Sequence, residues 1–464
     1  MGEKKYVHPY IPNSEPNVKK SMLDAIGMES AEGIYKEIPD RLRYHERMDI
    51  AEPIIDEYGC ERHVRKIMSE NMNARDNICF LGGGTWNHYV PAVVETVMER
   101  DEFLSAYVGD AYTDHGKFQA LWESSSMLSD LTMLEATCTP CYDWANAIAV
   151  ACRMAVRTTQ KTEILIAGSI SPDRLKIVRN YCKPELTVTL IDYDKETSLL
   201  NVEDLKAKLN DNVATVYFEN PTYLGGLEVN AKEIVDLAHE AGATAMVGVD
   251  PTSLGVLEAP GAYGADYAVG ELQPLGLHMS YGGGLGGFIS TKDEEKFIAE
   301  FPSLLFGVCE TSQKGEYGFG EVAYERTSYA QREKGKDFIG TTAALHGVAA
   351  AVYMALMGPQ GFKELGEGIL KKVAYTKAEL AKIPGIKIPI SGYSYCDFIV
   401  DFNETGKTVK EINKKLLDYK ILGGKDISGE FPEYGQSAMY SVTEVHTAED
   451  LQTLFTALAE ICAK

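Results

Sequence analysis

The sequence predicts an α/β fold: a large domain on a mainly parallel sheet with helices on its faces, then a smaller C-terminal α/β domain. Three observations predict it. Short β-branched runs alternate with amphipathic stretches through the middle of the chain, the pattern of a parallel sheet covered by helices. A chain of 464 residues with 45% hydrophobic content has enough apolar mass for a large core and for more than one domain. A long apolar stretch from about Thr342 then ends at Gly358-Pro359 and separates the strand-rich middle from a shorter mixed segment. The expected boundaries are an arm over 1–75, a large domain over 76–340, and a linking helix with a small domain over 341–464.

In chain order, residues 1–75 are polar, proline-bearing and helical in places, without strand alternation. The expected strands are Glu163 to Ile166, Thr187 to Ile191, Thr215 to Phe218, Ala245 to Val249, Tyr267 to Val269 and Phe288 to Ser290. Between the third and fourth, Asn230 is placed as an N-cap with Glu233 at the third helical position. Ile234, Val235, Leu237, Ala238 and Ala241 then share one face of a crossover helix. The helix from Thr342 is expected to stop at Gly358-Pro359, where glycine can take a left-handed cap and proline cannot extend the hydrogen-bond ladder. An extended run follows at Phe398 to Phe402. A terminal helix, capped by Thr447 with Asp450, buries Leu451, Leu454, Phe455, Leu458 and Ile461.

The formal charge of −23, from 68 acidic and 45 basic side chains, argues against nucleic acid and anionic membrane surfaces as partners. No stretch has the uninterrupted apolar length of a membrane span, and the N-terminus lacks the apolar core of a secretory signal. A cytoplasmic protein is expected. The nine cysteines are odd in number and scattered, so they are expected to be reduced. Cys138-Thr-Pro-Cys141 has redox spacing, but no second ligand pair follows to complete a zinc site, and no metal is expected.

Chemistry enters at MVGVDPTSLGVLEAPGAYGADYAVGELQPLGLHMSYGGGLGGF. In fold-type-I enzymes of pyridoxal phosphate (PLP), an aspartate at a strand end pairs with the pyridinium nitrogen, and a lysine after the next strand forms the Schiff base. Asp250 ends an apolar strand as such a partner would. By itself it also fits a carboxylate capping the turn before Thr252-Ser253. The next strand leads into Glu271-Leu272-Gln273-Pro274, and no lysine lies between Lys232 and Lys292. The glycines of Gly282-Gly283-Gly284-Leu285-Gly286-Gly287 suit close packing or a turn, the favoured reading, or a backbone cradle for phosphate.

Long ordered motifs then carry a resemblance over nearly the whole chain: YIPNSEP (Tyr10 to Pro16), LGGGTWNHYVP (Leu81 to Pro91), HEAGATAMVGVDPTSLGVLEAPGAYGAD (His239 to Asp266), GELQPLG (Gly270 to Gly276), REK (Arg332 to Lys334) and ILGGKDISGEFPE (Ile421 to Glu433). The chain resembles the alpha subunit of the two-subunit glycine dehydrogenase (decarboxylating), the P-protein of the glycine cleavage system. The resemblance implies a fold-type-I PLP transferase architecture and a subunit that has lost the PLP lysine, with Gln273 at its position. It implies a lysine-bearing beta-type partner in an alpha2beta2-like heteromer, PLP held covalently by that partner, and lipoyl H-protein as acceptor of the aminomethyl group. Asp250, His88, Thr341 and Thr342 are the expected cofactor-site relics or interface contributors. The loops Gly82 to His88 and Arg332 to Thr342 are the candidates to reach the partner's site. For His88 a structural role, and for Arg332 a surface ion pair, fit as well.

The chain departs from the family pattern over Ala106 to Gln119, Cys138 to Asn146 and Gly335 to Thr342, and at Ser171. Asp110, Asp114, His115 and Trp144 are therefore the residues to watch for altered specificity, each with a solvated-loop or core role as the alternative. Besides the glycine decarboxylase subunit, two readings stay open. One is a paralogous PLP-dependent decarboxylase subunit with another amino acid or acceptor. The other is a catalytically silent scaffold or regulator.

Overall fold

The computed structural model describes residues 7–46, 48–104, 115–337, 339–340 and 342–463, without the side chains of 115, 329 and 334. These fall into two units, one ending at Asn71 and the other beginning at Met72. The first is a run of short helices. Helix α1 (Pro16–Ala25) starts with proline at N1, where its missing N–H costs nothing, and Glu15 accepts from Val18 N at 2.8 Å. Helix α2 (Glu57–Met68) is capped by Asp56. None of the described residues in 7–71 is buried.

The second unit opens with β1 (Ile78–Cys79), α3 (Ala92–Met98), α4 (His115–Thr132) and β2 (Ala136–Thr137). Then come α5 (Trp144–Thr159), β3 (Glu163–Ala167), α6 (Pro172–Cys182), β4 (Thr187–Ile191), α7 (Val202–Lys208), β5 (Val213–Glu219), α8 (Ala231–Glu240), β6 (Thr244–Val249), β7 (Tyr267–Glu271) and β8 (Gly287–Thr291). Among the described residues the strands form a seven-stranded sheet in the order β2-β8-β7-β6-β5-β3-β4. The pairs β3–β4, β3–β5, β5–β6 and β6–β7 are parallel, and β8 runs antiparallel to β7 and β2. All six expected strands are present, each within a few residues of its expected ends. Strands β5, β6 and β7 are buried along their whole length, which is why they read as near-continuous apolar runs.

Helix α8 buries Ala231, Ile234, Val235 and Ala238 and crosses between parallel strands as expected. Asn230, however, makes no side-chain cap bond. Its ψ of 13° is outside the extended conformation that aims an N-cap side chain at the first free N–H groups. The Asn230 N–H instead donates to Glu228 at 3.1 Å.

Past α9 (Glu295–Ile298), the antiparallel pair β9 (Phe306–Glu310) and β10 (Tyr317–Glu321), and α10 (Ser328–Gln331), comes α11 (Ala344–Leu380). The expected stop at Gly358-Pro359 is a break and not an end. Gly358 leaves the helix at φ +57°, ψ 178°, and Pro359 begins a second helical stretch that continues to Leu380. Glycine tolerates that φ, and proline at a first helical position removes no bond. The C-terminal part has β11 (Asp397–Asp401), α12 (Val409–Leu416), β12 (Ile421–Leu422), β13 (Lys425–Asp426), β14 (Ser437–Ser441) and α13 (Ala448–Cys462). Its three-stranded sheet has the order β11-β14-β13, and β12 pairs in parallel with β1. Thr447 and Asp450 form the expected capping box on α13, and all five expected apolar residues of that helix are buried. Among the described residues no helix is long and apolar enough to cross a membrane.

Candidate functional site

The carboxyl ends of parallel strands leave a crevice where α/β proteins place ligands. Here β5 ends at Glu219, β6 is followed by Asp250, and β7 by Gln273. Trp144, the first residue of α5, and Arg174 on α6 complete one wall. Trp86, Tyr395, Cys396 and Asp397 close the other, around a cleft with about 330 Å³ of empty space, part of it open to solvent.

Gln273 is fully buried. Its Oε1 accepts from Trp86 N at 2.9 Å, and its Nε2 donates to Trp86 O at 3.0 Å and Leu277 O at 2.8 Å. The residue at the expected lysine position is thus a tie between the loop after β1 and the loop after β7. Below it, Glu271 accepts backbone N–H bonds from Leu272, Gln273, Gly286 and Trp144. Burial pushes its carboxyl up to about 8 against those bonds.

Asp250 has the local role its sequence context allowed. Its Oδ1 accepts from Thr252 N at 2.9 Å and Thr252 Oγ1 at 2.8 Å, capping the turn, while the Cys396 thiol lies 3.7 Å from Oδ2. Burial raises its pKa, and the field of His88 partly opposes this. Asp397 takes the Trp86 indole N–H at 2.9 Å, and burial pushes its carboxyl up to about 6. His88 is buried, with Nδ1 2.8 Å from Glu444 Oε2. Burial alone would lower its pKa, but Glu444, Asp250 and Asp397 outweigh that and raise it. Its Nε2 is buried without a partner among the described residues.

Arg174 is also buried. Its guanidinium lies 3.6 Å above the Trp144 ring and donates to Glu219 Oε1 at 2.9 Å. Glu219 Oε1 also accepts from Tyr217 OH at 2.8 Å.

Asp250 lines this crevice, Gln273 is buried behind its Trp86 wall, and His88 is in electrostatic reach of Asp250. The hydroxyl of Thr342 is buried without a partner among the described residues, while Thr341, Asp110 and Asp114 lie outside them. Arg332 is exposed beside Glu333 at 3.7 Å, so its side chain makes a surface pair. Trp86 and His88 fold their side chains into this chain. Of the segments that depart from the family pattern, 335–342 contributes Asp337 to packing: it accepts from Arg153 at 2.9 Å and from Arg157 at 2.5 Å, both on α5. In 138–146, Cys138 and Cys141 are free and buried with sulfurs 3.8 Å apart, while 106–114 lies outside the described residues. Gly287 meets the favoured reading of its loop, close packing, since a Cβ there would lie 2.1 Å from Asp143 O.

Sequence reading missed Glu219, Asp397 and Arg174. The carboxylates had a signal, because each bounds an apolar strand as Asp250 does. Arg174 had none, since only the fold lays α6 over Trp144.

These side chains do not fit PLP held covalently in this chain. The amide of Gln273 replaces the amine, both of its polar atoms are engaged with backbone, and no lysine is among the described residues that line the cleft.

The family model for the glycine cleavage system P-protein matches residues 8–458. The chain is 34% identical over 462 residues to the "Probable glycine dehydrogenase (decarboxylating) subunit 1" of Staphylothermus marinus, covering 98% of both chains. It is 36% identical over 456 residues to the protein of the same name from Pyrococcus horikoshii, covering 97% of this chain and 99% of that one. A crystal structure of glycine decarboxylase (P-protein) of the glycine cleavage system in inhibitor-bound form superposes with a TM-score of 0.85 at 30% identity, covering 98% of this chain and 100% of that one. A sphingosine-1-phosphate lyase from Burkholderia pseudomallei, at TM-score 0.63 and 11% identity over 90% of this chain and 92% of that one, shares the fold alone. The fold is therefore that of the fold-type-I PLP enzymes, and the chain belongs to the glycine cleavage system P-protein family.

Proposed function

We propose that this chain is the lysine-free subunit of a heteromeric, PLP-dependent glycine decarboxylase, and that a lysine-bearing partner subunit holds PLP. The similarity to proteins named subunit 1 of glycine dehydrogenase (decarboxylating) supports the activity. One observation carries the division of labour: Gln273 stands just beyond β7, where a Schiff-base lysine would stand, and its amide ties Trp86 to the loop. A group that builds the cleft wall has no chemical role to give up, so the chain keeps its architecture while a partner performs the covalent chemistry. When bound, PLP supplies the electron sink for decarboxylation.

The N-terminal unit supports an assembly. With none of its described residues buried, it exposes Tyr10 and Ile55 at 89% each, Tyr58 at 70% and Ile50 at 68%. So much apolar surface on one short segment is characteristic of an interface. Lipoyl H-protein as acceptor, an alpha2beta2-like stoichiometry, and Asp250, His88, Thr341 and Thr342 as cofactor-site relics or interface contributors belong to the same reading.

The test is to co-express the chain with a lysine-bearing homologue, purify through a tag on this chain, and record visible absorbance with and without glycine. A co-purifying partner whose PLP spectrum responds to glycine is expected. A stable complex blind to glycine would replace glycine with another amino acid, and the absence of any complex would overturn the subunit assignment.

A further inference from the structure

The Cys138-Thr-Pro-Cys141 motif lies outside the cleft lining. It follows β2, an edge strand of the seven-stranded sheet, and is fixed by bonds from Cys138 N to Ile289 O at 3.0 Å and from Cys141 N to Gly287 O at 2.7 Å. The segment after α9 covers it: Thr139 Oγ1 donates to Leu304 O at 2.6 Å, and Ser303 Oγ donates to Thr139 O at 3.0 Å. Both thiols are free and buried, with sulfurs 3.8 Å apart. A disulfide needs about 2.05 Å, so the pair is one small movement from a bond.

A cation stands beside this pair. Arg326 donates to Phe301 O at 2.7 Å and to Ser303 O, and its Nε is buried without a partner among the described residues. Burial pulls its pKa down to about 10, against the fields of Cys138 and Glu325, so the guanidinium keeps its charge at neutral pH. A buried cation of this kind favours an anion next to it. Burial alone would raise the Cys138 thiol, but the Cys141 thiol, the Ile289 N–H, the Ser303 hydroxyl and Arg326 outweigh it and lower its pKa. Cys141 is pushed well up by its bond to Cys138, with burial adding to it. One sulfur is thus the nucleophile and the other keeps its proton, the division of roles in a reactive dithiol. Cys152 and Cys182 are the contrast, since burial raises both thiols.

We propose that Cys138 and Cys141 form a reactive dithiol that a small hydroperoxide oxidises to an intrachain disulfide. The Cys138 thiolate attacks the peroxide: an S–O bond forms, the O–O bond breaks, and the departing oxygen takes up the proton that Cys138 gave to solvent. Cys141 then attacks the sulfenic sulfur. The S–S bond forms, the S–O bond breaks, and the hydroxyl leaves as water with the Cys141 proton. Two thiols and one hydroperoxide give one disulfide, one alcohol and one water, with two electrons passing from sulfur to the peroxide oxygens. With hydrogen peroxide both leaving molecules are water. The oxidant must be small because both sulfurs are buried.

The test uses the full chain in a C60S/C309S background, which removes the two exposed cysteines. Reduced protein is treated with hydrogen peroxide, unfolded in N-ethylmaleimide and mapped by mass spectrometry. The peptide holding Cys138 and Cys141 should become two hydrogens lighter and unlabelled, at least about tenfold faster than Cys152 or Cys182 loses its label. C141S should stop at a Cys138 sulfenic acid that dimedone traps, and C138S should leave Cys141 unoxidised. R326M should slow the reaction by about threefold or more, because a tenfold loss of thiolate per pKa unit is only partly offset by higher nucleophilicity, and R326K should restore much of the rate. Mapping of the parent chain decides the matter where a variant fails to fold. Full labelling of both cysteines after peroxide, oxidation no faster than at Cys152, rapid oxidation of Cys141 in C138S, or an unchanged rate in folded R326M would each overturn the proposal.

Discussion

Replacing Gln273 with lysine tests whether the missing amine can simply be put back. In the native chain the Gln273 amide accepts from Trp86 N and donates to Trp86 O and Leu277 O, at full burial. A lysine there keeps donors for the two carbonyls but offers the Trp86 N–H no acceptor, a loss of about 1–3 kcal/mol for a buried orphan donor. The amine must also stay neutral or be buried charged. Holding it neutral at pH 7 from an ordinary pKa near 10.4 costs about 5 kcal/mol, at roughly 1.4 kcal/mol per unit. With some relief from retained hydrogen bonds, the net destabilisation is about 3–6 kcal/mol. For a chain of this length, about 2 cal/mol/K of unfolding entropy per residue makes each kcal/mol worth about 1 °C. Scanning calorimetry of Q273K should therefore show an apparent Tm lower by about 3–6 °C, and the purified variant with added PLP should show no Schiff-base absorbance. An unchanged Tm together with a stable visible PLP band would refute the reading of Gln273 as a structural tie.

Other expectations follow from the same cleft and the loops around it. R174M leaves Glu219 buried and unpaired and should cost about 3–5 kcal/mol, whereas R174M/E219L should recover much of it; equal Tm values for the two variants would contradict a coupled pair. Glu271 has a folded pKa of about 8, raised by burial above its ordinary 4.5. For a carboxyl raised in the folded state, the stabilising contribution is complete below pH 4.5 and is lost as pH rises through about 8. The Tm of the wild type should therefore fall more steeply than that of E271Q across that window, and parallel profiles would count against a protonated Glu271. G287A drives a Cβ to 2.1 Å from Asp143 O and should abolish soluble expression or cost several kcal/mol. G282A, in open space at φ +78°, should cost only about 1–2 kcal/mol, and similar losses for the two would show that packing does not set the glycine requirement.

The sequence by itself determined six strands of the large sheet, the cap of the terminal helix and the loss of the lysine. Strands β5 to β7 were legible because a parallel strand buried on both faces must be apolar throughout, and α13 because Thr447 and Asp450 satisfy each other's backbone within one turn. Asp250 was legible because it follows directly from a strand end, and Gln273 because it stands two residues beyond one. Asn230 and Gly358-Pro359 were misjudged in part, since the same residues serve a cap or a near-cap, a stop or a restart, depending on a ψ angle that neighbouring contacts set.

Only the tertiary structure decided what occupies the cleft. Trp86 and Gln273 are 187 residues apart, Trp86 and Asp397 311, and His88 and Glu444 356. Arg174 comes to lie on Trp144 because α6 packs on α5. No local pattern encodes these meetings: a buried polar group must find a partner, but its sequence neighbourhood does not say which, and the choice is made when the strand ends and the C-terminal sheet close around the same space.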